Sequence, residues 1–123
     1  MNIVDSSCWL EYFAGSNIGD KVSSVIEDVD NLLVPAITIY EVFKKLLIEV
    51  GEDRALFAIA HMKQGKVIDI DSNMAIYAAQ TGKEYGLAMA DSLIYATSRK
   101  HKAMIYTSDR HFKSLELVTY FEK

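Results

Sequence analysis

Asn2-Ile3-Val4-Asp5-Ser6-Ser7 is the stretch on which the fold turns. Three residues of a short apolar strand run into a carboxylate, and two hydroxyls follow. Cys8-Trp9-Leu10-Glu11-Tyr12-Phe13 can then continue as a helix. A strand that ends in Asp-Ser-Ser aims an acid at the carboxyl ends of the strands, the edge where a parallel sheet binds its ligands.

Outward from there, strand and helix signals alternate. Gly15-Ser16-Asn17-Ile18-Gly19 reads as a loop, and Asp20 as the cap of a helix with Val22, Val25, Ile26 and Val29 at helical spacing. Leu32-Leu33-Val34 is a buried strand closed by Pro35. Ile39, Val42, Phe43, Leu46, Leu47 and Val50 form one apolar stripe of a helix that Gly51 stops. A further helix spans about 53–64 and ends at Gly65. Val67-Ile68-Asp69-Ile70 is the third strand, and Asp71 or Ser72 caps a helix to about Gln80. Gly82 and Gly86 break the chain, 88–101 is helical by composition, and Ala103-Met104-Ile105-Tyr106-Thr107 is the fourth strand. A helical turn follows Asp109, and Leu117-Val118-Thr119 is a candidate fifth strand. Strands alternating with helices imply βαβ units, right-handed crossovers and a parallel sheet.

Composition bounds the class. The 123 residues suit one domain, 1–123, and half of them are hydrophobic, enough for a real core. No apolar run approaches the ~20 residues of a membrane span, and the first residues do not read as a signal peptide. The single Cys8 excludes an internal disulfide, fits a reducing cytoplasm and reads as helix packing. No Cys/His spacing suggests structural zinc. The net charge of −4, taken alone, weighs slightly against nucleic acid, although Lys44-Lys45, Arg99-Lys100-His101-Lys102 and Arg110-His111-Phe112-Lys113 gather cations locally. Trp9, Tyr12 and Phe13 read as core or interface.

Four acids stand out by position. Asp5 ends strand one, Glu41 falls in the first turn of the helix after strand two, Asp91 in the first turn of the helix before strand four, and Asp109 just after strand four. Crossover helices run antiparallel to the strands, so their N-termini lie at the edge where the strands end. All four acids are therefore expected at one edge. Each also has a bland reading. Thr38-Ile39-Tyr40-Glu41 fits a capping box, Asp91 suits the dipole, and Asp5 and Asp109 could be plain N-caps. Together they repel, and a cation, a basic partner or raised pKa values must offset that. An all-oxygen site suits Mg²⁺ or Mn²⁺, which activate water for phosphodiester displacement. Asp69 and Asp71 also follow a strand. With strand three at the margin they lie about 10 Å from strand one, outside the site.

Asp5-Ser6-Ser7, Thr38-Ile39-Tyr40-Glu41-Val42, Ala90-Asp91-Ser92-Leu93-Ile94-Tyr95-Ala96 and Thr107-Ser108-Asp109-Arg110-His111-Phe112 resemble, in order, the motifs of PIN domains. They are most similar to the VapC-type toxins of type II toxin–antitoxin pairs, over essentially the whole chain. The resemblance implies a three-layer α/β/α fold with a parallel sheet of four to five strands in order 3-2-1-4-5. It implies a Mg²⁺- or Mn²⁺-dependent endoribonuclease that leaves a 5′-phosphate and a 3′-hydroxyl. Asp5, Glu41, Asp91 and Asp109 match the acidic catalytic positions, with Asp5, Asp91 and Asp109 as metal ligands. Ser6 and Thr107 match hydroxyl positions beside them. An RNA substrate, a homodimer and a small VapB-like antitoxin whose C-terminal segment covers the site are implied too. The strong basic surface that would capture RNA is missing. Other readings are a PIN nuclease of RNA processing or structured DNA, a binding module without the chemistry, and a receiver-type phosphoacceptor switch. The last would need paired acids after strand one and a Lys after strand five. Serines follow Asp5, and Val118-Thr119-Tyr120 supplies no Lys.

Overall fold

The computed structural model describes all 123 residues, Met1–Lys123. Five strands form one parallel sheet in order β3-β2-β1-β4-β5. They are β1 Asn2–Val4, β2 Leu32–Pro35, β3 Lys66–Ile68, β4 Met104–Thr107 and β5 Val118–Tyr120. The first strand of the chain lies at the centre, with Ile3 opposite Leu33 on one side and Ile105 on the other. The helices are α1 Ser6–Ala14, α2 Asn17–Glu27, α3 Ala36–Val50, α4 Glu52–Met62, α5 Ser72–Tyr85 and α6 Met89–His101. Short 3₁₀ turns at Val29–Asn31 and Arg110–Phe112 complete the chain.

Successive strand residues face opposite ways, and both faces are covered. Val4, Leu32 and Val34 pack with Cys8, Trp9, Val22, Val42, Ala55 and Met62 from α1–α4. Ile3, Leu33 and Ile105 pack with Met74, Ala78, Leu93, Ile94 and Tyr95 from α5 and α6, and with Phe112. Burial on both faces explains why the inner strand β2, Leu32–Pro35, reads as a continuous apolar run. Helices α1–α4 on one face and α5–α6 on the other make three layers. No helix is long and apolar enough to cross a membrane.

The structure moves several boundaries. Gly15, at φ +69°, ends α1, and Ser16 caps α2 by accepting the Gly19 amide at 3.1 Å, so Asp20 lies inside α2 rather than capping it. Helix α3 starts at Ala36 directly after Pro35, which puts Glu41 in its second turn rather than its first. Strand β3 ends at Ile68, so Asp69 follows it. Gly82 does not break the chain. It lies inside α5, where a Cβ would collide with Ser92 Oγ of α6, so the missing side chain lets the two helices close up. Gly86, at φ +67°, is the true C-cap.

Candidate active site

At the carboxyl edge of the sheet, Asp5, Glu41, Asp91 and Asp109 line one open pocket of about 700 Å³. Four different segments deliver them. Asp5 leaves β1, its amide still bonded to the Tyr106 carbonyl of β4 at 2.9 Å. Its own carbonyl accepts the Cys8 and Trp9 amides and starts α1, but its carboxylate caps nothing. Glu41 comes from α3, Asp91 from the first turn of α6, and Asp109 from the end of β4.

Hydroxyls hold the acids in place. Ser7 Oγ donates to Asp5 Oδ2 at 2.7 Å, and Thr107 Oγ1 donates to the same oxygen at 2.8 Å. Each hydroxyl oxygen in turn accepts a backbone amide, Ser7 from Ser108 at 3.1 Å and Thr107 from Asp109 at 2.9 Å. Both donors converge on Oδ2 and leave Oδ1 free of hydroxyl partners. Chains of this kind polarise one another and fix a carboxylate in one orientation. On the other wall Ser6 Oγ donates to Glu41 Oε1 at 2.9 Å. The capping box is absent: Thr38 Oγ1 donates back to the Pro35 carbonyl at 2.6 Å. Asp109 does cap, accepting the His111 amide on Oδ1 at 2.9 Å. Asp71 caps α5, and neither it nor Asp69 lines the pocket.

The electrostatics follow from burial and crowding. Burial pushes the Asp5 carboxyl above its ordinary value, and the Asp109 charge adds to this, against the Ser7 and Thr107 hydrogen bonds. Glu41 is raised by burial and by Asp5 and Asp109, against the Ser6 hydroxyl. Asp91 is pushed up to about 6, first by burial, then by Asp109 and Asp5. Burial, then the neighbouring Asp5 charge, pushes the Cys8 thiol up to about 12, so it is an inert core residue.

Around the rim the only cations among the lining residues are Lys45 and Lys123. Each is paired with a lining acid, Lys45 with Glu49 at 3.3 Å and Lys123 with Glu11 at 3.7 Å. Carboxylates outnumber ammonium groups there, and the donor set consists of oxygen atoms. That chemistry fits a hard divalent cation, and Asp5, Asp91 and Asp109 all line the pocket.

Sequence reasoning left three participants out. Ser7 shares the Asp5 clamp with Thr107. Lys45, one turn beyond Glu41 on α3, was visible as an i+4 neighbour. His111 sat in a run that reads as surface, yet its Nδ1 lies 2.9 Å from Asp109 Oδ1 and 3.4 Å from Asp91 Oδ2. A second, mainly apolar groove opens beside the pocket, lined by Tyr12, Phe13, Leu46, Val50, Phe57 and His61 among others.

The fold with acids at this edge defines a class. The sequence matches the PIN domain over residues 3–117, and the chain belongs to the PIN domain family. No curated protein matches the sequence. Among solved structures it is similar to a toxin–antitoxin complex from Klebsiella pneumoniae, at 21% identity and TM-score 0.81 over all of both chains. It is similar to a DNA-bound VapBC from Salmonella typhimurium, at 16% identity and TM-score 0.73 over 98% of each chain. It also resembles VapC20 of Mycobacterium tuberculosis, described as a Sarcin-Ricin loop cleaving toxin, at 15% identity and TM-score 0.69, covering 99% of this chain and 90% of that one.

Proposed function

We propose that the protein is a divalent-metal-dependent endoribonuclease acting as the toxin of a toxin–antitoxin pair. The observation that carries this reading is the pocket in which four carboxylates from four segments face one another, three of them with raised pKa values. Such an arrangement is costly unless a cation completes it. Asp5, Asp91 and Asp109 would hold Mg²⁺ or Mn²⁺, which when bound supplies the charge that polarises water and the phosphodiester oxygens.

The chain's own residues do the rest. Ser7 and Thr107 keep Asp5 turned toward the pocket. Glu41, half-buried and held by Ser6, accepts the proton of the attacking water, a role its raised pKa favours by making it the stronger base. The water attacks phosphorus, the 3′ oxygen leaves and takes a proton from solvent, and a 5′-phosphate and a 3′-hydroxyl remain. A small antitoxin would place an Arg or Lys against these acids, a charge-assisted contact that offsets their repulsion. The toxin functions as a homodimer in the cytoplasm. The toxin neighbours, similar over nearly their whole length, favour this over an RNA-processing role.

The test is cleavage of RNA by purified protein with Mg²⁺, with EDTA, and with Asp5→Asn. Cleavage should need the metal and fall by orders of magnitude in the variant at unchanged circular dichroism. Undiminished cleavage in EDTA would sink the mechanism. Harmless expression of an active enzyme would favour the RNA-processing reading.

A further inference from the structure

We infer that His111 belongs to the metal centre, placing an imidazole nitrogen on the cation beside Asp91 and Asp109. This rests on the metal-dependent reading above and adds a ligand of a different chemical kind. In the run Arg110-His111-Phe112-Lys113, Phe112 is fully buried and anchors the turn in the core. Lys113 turns away to Glu122 and the ring of Tyr120. His111 alone turns back to the acids.

Its position is fixed twice by one residue. Asp109 Oδ1 accepts the His111 amide at 2.9 Å and lies 2.9 Å from its ring Nδ1. On the far side Nδ1 is 3.4 Å from Asp91 Oδ2. One donor atom from each residue lies within 4.8 Å of the others. Adjacent ligands on an octahedral ion at 2.0–2.1 Å stand about 3 Å apart. The two oxygen–nitrogen separations already have that spacing.

The bland alternative is an exposed ion pair. A side chain that is 74% exposed gains little from such a pair and loses rotamer freedom in making it. A shared cation is a stronger reason for three groups to converge. Nδ1 then offers its lone pair, and the ring proton sits on Nε2. Imidazole suits Mn²⁺ and later transition metals better than Mg²⁺, so His111 biases the site toward Mn²⁺ relative to an all-oxygen centre.

The experiment is Mn²⁺ binding by electron paramagnetic resonance, with Mg²⁺ competition, on the wild-type chain, His111→Ala and Asp91→Asn. His111→Ala keeps the backbone amide that Asp109 caps, so the turn is preserved. The wild type should show spin-echo modulation from a coordinated ¹⁴N that His111→Ala lacks. That variant should bind Mn²⁺ at least about tenfold more weakly, with Mg²⁺ affinity changing much less. Saturable Mn²⁺ binding that is lost in Asp91→Asn but carries no nitrogen signal, or the same signal in His111→Ala, overturns the role of His111 and leaves the metal centre standing. No saturable Mn²⁺ binding in the wild type overturns both.

Discussion

Asp91→Asn should make the metal-free protein more stable at neutral pH, although it removes a group from the centre of the site. Burial first, then the Asp109 and Asp5 charges, push the folded carboxyl up to about 6 from an ordinary 3.8. A raised folded pKa means that the native state binds more protons than the unfolded chain. Stability from that proton is therefore present below pH 3.8 and is lost as pH climbs through about 6. The rise from 3.8 to about 6 corresponds to about 3 kcal/mol at most. The Asp91 side chain keeps 15% of its surface exposed, and the remaining solvent screening brings this to about 1–2 kcal/mol. Attraction between the carboxylate and the first turn of α6 opposes it by about 0.3–1 kcal/mol. The net gain of about 1 kcal/mol is a rise of about 4 °C in Tm for a chain of this size. Thermal melts in EDTA between pH 3.5 and 8 read it directly. The two curves should coincide near pH 3.5, separate between about pH 4 and 6, and stay apart above. Mg²⁺ should then raise the wild-type Tm more than that of the variant, because only a ligand that prefers the native state stabilises it. A variant less stable than wild type at pH 7.5 in EDTA would refute the reasoning and leave Asp91 as a helix-dipole residue.

Thr107→Val keeps the shape, removes a donor to Asp5 and strands the Asp109 amide. Urea unfolding should show a loss of about 1–3 kcal/mol, and carboxyl NMR a further rise in the Asp5 pKa. Ser6→Ala removes the hydrogen bond that lowers the Glu41 pKa. The acid limb of the pH–rate profile should move to higher pH, and an unmoved limb would exclude Glu41 as the base. Gly19→Ala drives a Cβ into the Glu11 carbonyl and to 2.7 Å from the Tyr12 Cα. Backbone gives way poorly, so chemical denaturation should register a loss of about 1–3 kcal/mol.

What the sequence made legible was whatever is carried by local pattern and strand direction. Asp5 follows the buried apolar pair Ile3-Val4 of β1, and antiparallel crossovers bring the starts of α3 and α6 to the same edge, so the convergence of four acids needed no tertiary detail. The register of α3 was hidden because Pro35 serves both as the last residue of β2 and as the N-cap of the helix. Nothing local distinguishes that from a helix beginning at Thr38. Gly82 reads as a breaker because its reason lies in another helix, at Ser92. His111 was invisible for a similar cause: its meaning is a distance to Asp91, twenty positions away in the chain. Relations between segments escape periodicity, whereas relations along a segment do not.

Trp9 gives the molecule an optical handle. It is the single tryptophan, fully buried, stacked on Phe13 at 5.7 Å and edge-on to Tyr12 and His61. Its amide bonds to the Asp5 carbonyl at 3.0 Å. Its three aromatic neighbours line the apolar groove next to the carboxylates. Fluorescence from this chain is therefore a one-site signal, blue-shifted when folded, with no second indole to average it. Any change in the packing of Tyr12, Phe13 or His61 would alter the excited-state lifetime of Trp9 without any label. Local repacking beside the site and global unfolding can thus be told apart in one cuvette, the first as a change in lifetime and the second as a red shift.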